Sequence, residues 1–166
     1  MKVLTIKNKK EEKFLRTPTK AFNFNKFSKK EIRELIKEMR KTMKEKEGVG
    51  LSANQVGLNF KMFIAEIPDK NGKKKFYVIF NPELEKESEE KEIGIEGCLS
   101  VPDMIGEVKR TKKITVAGYD KNGKKIKVKA FGFLARVFQH EIDHLNGILF
   151  IDKAKKLFET KEKDLT

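Results

Sequence analysis

The chain has a single cysteine, so no intrachain disulfide can form, and the composition suits a reducing compartment. Long apolar runs are missing too. No stretch approaches the roughly 18 apolar residues that would cross a bilayer, and Met1-Lys2-Val3-Leu4-Thr5-Ile6-Lys7 lacks the apolar centre of a secretory signal. Glu11 and Glu12 come too early for an organellar presequence, which is poor in acids. No linker, repeat or low-complexity tract divides the 166 residues. These absences predict a soluble, cytoplasmic protein with one domain over residues 1–166 and no membrane partner; a monomer without a DNA partner is the accompanying expectation.

Charge is abundant. Charged residues make up 38% of the chain and apolar residues another 38%, but the apolar ones cluster in periodic runs, as in a globular protein with a lysine-coated surface. The net charge of +13 is unevenly spread. Residues 1–47 carry 16 basic against 7 acidic side chains, and residues 101–139 carry 10 against 3. Residues 48–100 and 140–166 are close to neutral. Basic flanks of this kind attract phosphate non-specifically, which admits a weak electrostatic association with an RNA-rich particle such as the ribosome.

Ser28-Lys29-Lys30-Glu31 reads as a capping box, and Ile32, Leu35, Ile36, Met39 and Met43 follow at helical spacing, which predicts a helix over about 29–46. The middle of the chain reads as β structure. Residues 61–67 and 75–80 flank a Pro-Asp-Lys-Asn-Gly turn, and residues 114–119 and 125–130 flank a second Asp-Lys-Asn-Gly turn. In the last of these strands lysines alternate with apolar residues, so one face is wet. A second helix is predicted over 132–145, stopped by Asn146-Gly147. A short C-terminal helix is expected at about 152–163. The fold class is therefore α+β, with antiparallel hairpins and sheets packed around a central helix.

That central helix carries His140-Glu141-Ile142-Asp143-His144, an H-E-x-x-H motif that uses both histidines of the chain. Two histidines four residues apart project from one helix face, so their imidazoles can converge on one metal ion. Glu141 lies off that axis and can move protons for a water beside the ion. Catalytic sites of this type take three protein ligands and leave one position open. A histidine six residues after the second would be one option, but Phe150 stands there. Glu159 is the downstream carboxylate, and Cys98, in Glu96-Gly97-Cys98-Leu99-Ser100, is the remaining alternative. Phe133 and Val137 share the His140 stripe and are candidates for lining an apolar slot beside the ion.

Three separated segments resemble the peptide deformylase family. Gly48-Val49-Gly50-Leu51-Ser52-Ala53-Asn54-Gln55 is similar to its G-x-G-x-A-A-x-Q, Glu96-Gly97-Cys98-Leu99-Ser100 to its E-G-C-L-S, and Gln139-His140-Glu141-Ile142-Asp143-His144-Leu145 to its Q-H-E-x-D-H-L. The resemblance covers about residues 48–152. Ser52 departs from it, since the family usually has alanine there. The first 27 residues resemble it only around Phe14-Leu15-Arg16.

The resemblance implies a single catalytic domain in which Cys98, His140 and His144 hold one divalent ion. Fe(II) is the expected native metal, and zinc, nickel or cobalt are able to occupy the site. It also implies removal of the formyl group from the N-terminal formylmethionine of nascent polypeptides, with Glu141 carrying the proton and with the Gln55 amide and the Leu99 backbone N–H facing the oxyanion. Gly50 would let the backbone run close to the substrate. Val49 and Ile95 join Phe133 and Val137 as expected substrate contacts. Glu96 and Arg110 are expected to pair and steady the Cys98 loop. Two other readings compete: a zinc endopeptidase with Glu159 as third ligand, and a basic RNA-associated module with a structural ion.

Overall fold

The computed structural model describes residues 1–69 and 71–160. Its helices are α1 (Lys9–Leu15), α2 (Lys29–Glu45), α3 (Gly132–Leu145) and α4 (Phe150–Lys153). None is long and apolar enough to cross a membrane. The strands are β1 (Gly50–Ser52), β2 (Met62–Pro68), β3 (Lys74–Glu87), β4 (Lys91–Cys98), β5 (Val101–Thr111), β6 (Lys113–Tyr119), β7 (Lys125–Phe131) and β8 (Ala154–Glu159). All pair antiparallel, in a five-stranded sheet ordered β1-β2-β3-β6-β7 and a three-stranded sheet ordered β4-β5-β8.

The capping box forms as expected. Glu31 N donates to Ser28 Oγ at 3.2 Å, and Ser28 N donates to Glu31 Oε2 at 2.7 Å. Both predicted hairpins form, β2 with β3 and β6 with β7. In β7 Lys125, Lys127 and Lys129 are exposed while Ile126 and Val128 pack inward. α1 escaped the sequence reading. Its signal was Asn8, whose side chain accepts from Lys10 N and Glu11 N at the helix start.

The C-terminal expectation is corrected in extent. A short helix is present, but it ends at Lys153, and Ala154–Glu159 continue as β8 on the open edge of β5. Strand pairing supplies backbone partners there, and Gly106 of β5 makes room for Leu157: a Cβ on Gly106 would lie 2.9 Å from Leu157 Cδ2. Residues 161–163 of the expected helix lie outside the described residues.

β2 is buried on both faces, which explains why its sequence is apolar without alternation. Met62 and Ile64 pack with Ile32, Ile36, Met39 and Met43 of α2. Phe63, Ala65 and Ile67 pack on the other side with Ala135, Val137, Phe138 and Leu145 of α3. α3 thus lies against the larger sheet. It stops where Gly147 takes a left-handed conformation (φ 75°) and Ile148 N closes back on Asp143 O at 2.9 Å.

The opposite side of α3 meets the smaller sheet through polar groups. Arg110 of β5 donates to both carboxylate oxygens of Glu96 at 2.8 Å and also bonds Asp143 of α3. Arg136 donates to Glu96 Oε1 and to Val108 O, each at 2.9 Å, and Lys153 Nζ reaches Asp143 Oδ1 at 2.7 Å. Gln139 clasps the backbone of Thr111, accepting from its N–H at 3.0 Å and donating to its carbonyl at 2.9 Å.

Burial alone would push the Glu96 carboxyl up, but Arg110 and His140 outweigh it and hold the group well below its ordinary value of 4.5. A depressed carboxyl contributes stability that is complete above the ordinary carboxylate range and is lost as pH falls towards the folded-state value. Urea unfolding at a series of pH values should therefore show wild-type stability declining below about pH 4.5. Glu96→Gln should be about 3–5 kcal/mol less stable at pH 7, because it leaves buried guanidinium charge unpaired, and its acid decline should be shallower.

Candidate active site and metal centre

Three donors from two elements meet at one point. Cys98 is the last residue of β4, at a register shift just before the Leu99-Ser100 turn into β5. His140 and His144 stand one turn apart on α3. Cys98 Sγ lies 3.1 Å from His144 Nε2, which lies 3.2 Å from His140 Nε2, and the three donor atoms fall within 4.8 Å of one another. Separations of this size suit ligands of one ion with bonds of about 2.0–2.3 Å. Among the described residues this is the one cluster of such donors. With no further Cys or His in the chain, a fourth position is left for water. Glu159 lies on the exposed β8, opposite Met104 and outside the cluster.

The donor chemistry fits a divalent ion as well as the geometry does. Burial would push the Cys98 thiol up, yet His144 and His140 draw it well below the usual thiol range, which favours the thiolate form that binds metal. Burial would likewise lower His140, but Cys98 and Glu96 raise it to about 10. The same attraction that drives a proton onto His140 favours a cation of higher charge, whose binding displaces that proton. Glu96 accepts from His140 Nδ1 at 2.9 Å, which directs Nε2 to the cluster. The expected Glu96–Arg110 pair is present, and it acts on a ligand of α3 as well as on the end of β4.

Glu141 is 3% exposed and lines the cavity beside the donors. Its carboxyl is raised above the ordinary carboxylate value, chiefly by burial, against the pull of His140, His144 and Ser52. Ser52 Oγ donates to Glu141 Oε2 at 2.6 Å. Gly50 has a packing role that the sequence did not reveal. A Cβ there would overlap Glu141 Oε1 and lie 2.9 Å from its carboxyl carbon, so the absent side chain makes room for the acid.

Gln55 is buried with its amide held at both ends. Its Oε1 accepts from Ser52 N at 2.9 Å, and its Nε2 donates to Ser100 Oγ at 3.1 Å and approaches Cys98 Sγ at 3.4 Å. The NH2 group faces the sulfur, because a flipped amide would turn its donor towards the Ser52 N–H and lose that hydrogen bond. Leu99 follows the thiolate in the tight turn. A cavity of about 620 Å³ opens over these groups, and Val49, Gly50, Ile95, Leu99, Phe133 and Val137 all border it. Val137 is buried, whereas Ile95 and Phe133 are each 55% exposed and Val49 is 40% exposed. These three are apolar rim residues and not core.

Arg136 and Asp143 went unassigned in the sequence reading. The available signal for Arg136 was a lone cation inside the apolar run Phe133–Phe138. Gly94 answers it from β4, since a Cβ there would lie 2.7 Å from the Arg136 guanidinium carbon.

Residues 2–159 match the family model described as polypeptide deformylase. The chain is 48% identical to a peptide deformylase of Halothermothrix orenii over 130 residues, covering 78% of this chain and 82% of that one. It is 42% identical to one of Desulforudis audaxviator over 132 residues, covering 80% and 83%. Among solved structures, a probable peptide deformylase from Synechococcus phage S-SSM7 superposes with a TM-score of 0.82 at 42% identity, over 92% of this chain and 99% of that one. The enzyme from Thermotoga maritima superposes with a TM-score of 0.80 at 33% identity, over 93% and 97%. Fold, donor cluster and sequence agree: the chain belongs to the polypeptide deformylase family.

Proposed function

We propose that the chain hydrolyses the formyl amide of N-terminal formylmethionine on newly made polypeptides, with Glu141 as proton carrier and Fe(II) as native ion. The observation that carries this reading is the convergence of Cys98, His140 and His144 beside the Glu141 carboxylate, at the floor of one apolar-rimmed cavity. When bound by these three ligands, a divalent ion lowers the pKa of a water and polarises a carbonyl oxygen. Glu141 takes the proton from the attacking water and hands it to the departing amine, so that one water and one amide become formate and a free N-terminus. The raised carboxyl suits a group that must both accept and release that proton.

Charge develops on the former carbonyl oxygen. On this reading the Gln55 NH2, anchored through its own oxygen by Ser52 N–H, and the Leu99 N–H are the donors that meet it. Val137 at depth and Phe133, Ile95 and Val49 at the rim offer the methionine side chain and the following residues an apolar surface. The thiolate favours a soft transition ion, and an Fe(II) site with a cysteine ligand should lose activity in air. The reading places the protein as one catalytic domain acting in the cytoplasm, as a monomer, close to where chains emerge.

The exposed face of α2 supports the last point. A groove of about 370 Å³ there is bordered by Arg33, Lys37, Arg40, Lys41, Lys44 and Lys121 beside Ile36 and Phe76, with Arg40 and Lys44 paired with Glu66, Lys37 with Glu34 and Lys41 with Glu45. Weak association with ribosomal particles should follow, and co-sedimentation should fall steeply as salt rises from 50 to 200 mM, in the manner of a phosphate-driven contact. Unchanged sedimentation across that range would remove the ribosome from the account.

Formate release from a formyl-Met tripeptide by anaerobically purified protein tests the reaction itself. Glu141→Ala should lower kcat by about 10²–10⁴-fold. A wild type no more active than this variant would overturn the assignment. Metal analysis tests the ligand set: Cys98→Ala should strip the ion, and Glu159→Ala should retain it. The opposite pattern is what an endopeptidase-type site would give.

A further inference from the structure

We propose that Ser52 is a positioning residue for Glu141, fixing which carboxylate oxygen meets the substrate. The proposal rests on Glu141 being the proton carrier. A glutamate has three rotatable side-chain bonds and two equivalent oxygens, so burial alone does not decide its orientation. Here the decision comes from β1. Gly50 and Ser52 are two residues apart on one strand and so face the same side. Pairing of Gly50 with Ala65 and of Ser52 with Phe63 holds them in register.

Against that strand the carboxylate is gripped at two points. The bare Cα of Gly50 leaves the space that Oε1 occupies. The Ser52 hydroxyl, with 0% exposure, stands 2.6 Å from Oε2 and 2.9 Å from the main-chain oxygen of the same glutamate. A hydroxyl has one hydrogen to give, and the carboxyl oxygen at the shorter distance takes it. Oε2 is thereby engaged. Oε1 accepts no hydrogen bond from the described residues and is the oxygen left for the water and the departing amine. Ser52 also ties this acid to the oxyanion side, because its own N–H holds Gln55 Oε1 at 2.9 Å.

The competing explanation is a serine that merely satisfies the Glu141 main-chain carbonyl where α3 packs on β1. The two differ in what Ser52→Ala does to turnover. The substitution removes one oxygen from a buried side chain and adds no bulk, so the fold should tolerate it. If Ser52 positions the carboxylate, kcat for a formyl-Met tripeptide should fall at least threefold, with KM within twofold of wild type and bound metal equal to wild type by elemental analysis. A kcat within threefold of wild type would overturn the proposal. So would a fall matched by metal loss or by a rise in KM beyond twofold. Glu141→Ala, measured alongside, separates the two levels. If it is inactive while Ser52→Ala is unimpaired, only the positioning role fails. If Glu141→Ala keeps wild-type turnover, the functional reading fails first.

Discussion

The whole site depends on one buried carboxylate. Glu96 takes a bidentate guanidinium from Arg110, a second guanidinium from Arg136 and the Nδ1 side of His140. In doing so it fastens β4 to α3. The thiolate ends β4 and the imidazoles stand on α3, so the relative placement of those two elements is the relative placement of the metal ligands. Apolar packing could not do this as selectively. It is non-directional, and a helix can slide over an apolar sheet at small cost, whereas a forked ion pair fixes both distance and angle. The larger sheet supplies the bulk of the burial for α3, and the smaller one supplies its registration.

This division of labour explains which parts of the fold were legible in the sequence. The two hairpins of the larger sheet followed from Asn-Gly turns and apolar runs. α2 and α3 followed from helical periodicity with capping residues. The H-E-x-x-H spacing placed two ligands without further help. β4 obeys a different logic. Its inward positions are Glu92, Gly94, Glu96 and Cys98, and its outward ones include Ile93 and Ile95, each 55% exposed. The usual alternation is inverted, because the inward face carries an ion network and a ligand. Periodicity therefore misreads this strand, and with it β8, whose neighbour β5 it could not see. Glu96 was legible only through the family motif, and its pairing with Arg110, which lies outside all three motif segments, was an expectation beside it.

Glycine made a similar point at the scale of single atoms. Gly50 was expected to admit substrate backbone, and Gly94 drew no attention. Both make space for a charged side chain from α3, Glu141 in one case and Arg136 in the other. Neither role leaves a mark in the local sequence, since the partner lies some 40 to 90 residues away. A glycine in a strand often signals a close approach, but the sequence does not say of what.

The electrostatics of the centre connect these details to the chemistry. The thiolate of Cys98 and the carboxylates of Glu96, Glu141 and Asp143 face Arg110, Arg136 and Lys153. The sulfur of Cys98 and the carboxylate of Glu96 beside it are what drive His140 to hold a proton. A divalent ion held by Cys98, His140 and His144 in place of that proton would add positive charge beside the cavity. A carbonyl oxygen that gains electron density is stabilised by that sign, and a carboxylate product such as formate is held by it only as firmly as solvent competition in an open cavity permits. Far outside, the lysines of the flanks raise the same sign of potential over the surface, but screening confines it to about 8 Å at physiological salt. The reacting bond therefore responds to the buried cluster, and the basic flanks act on what the protein approaches.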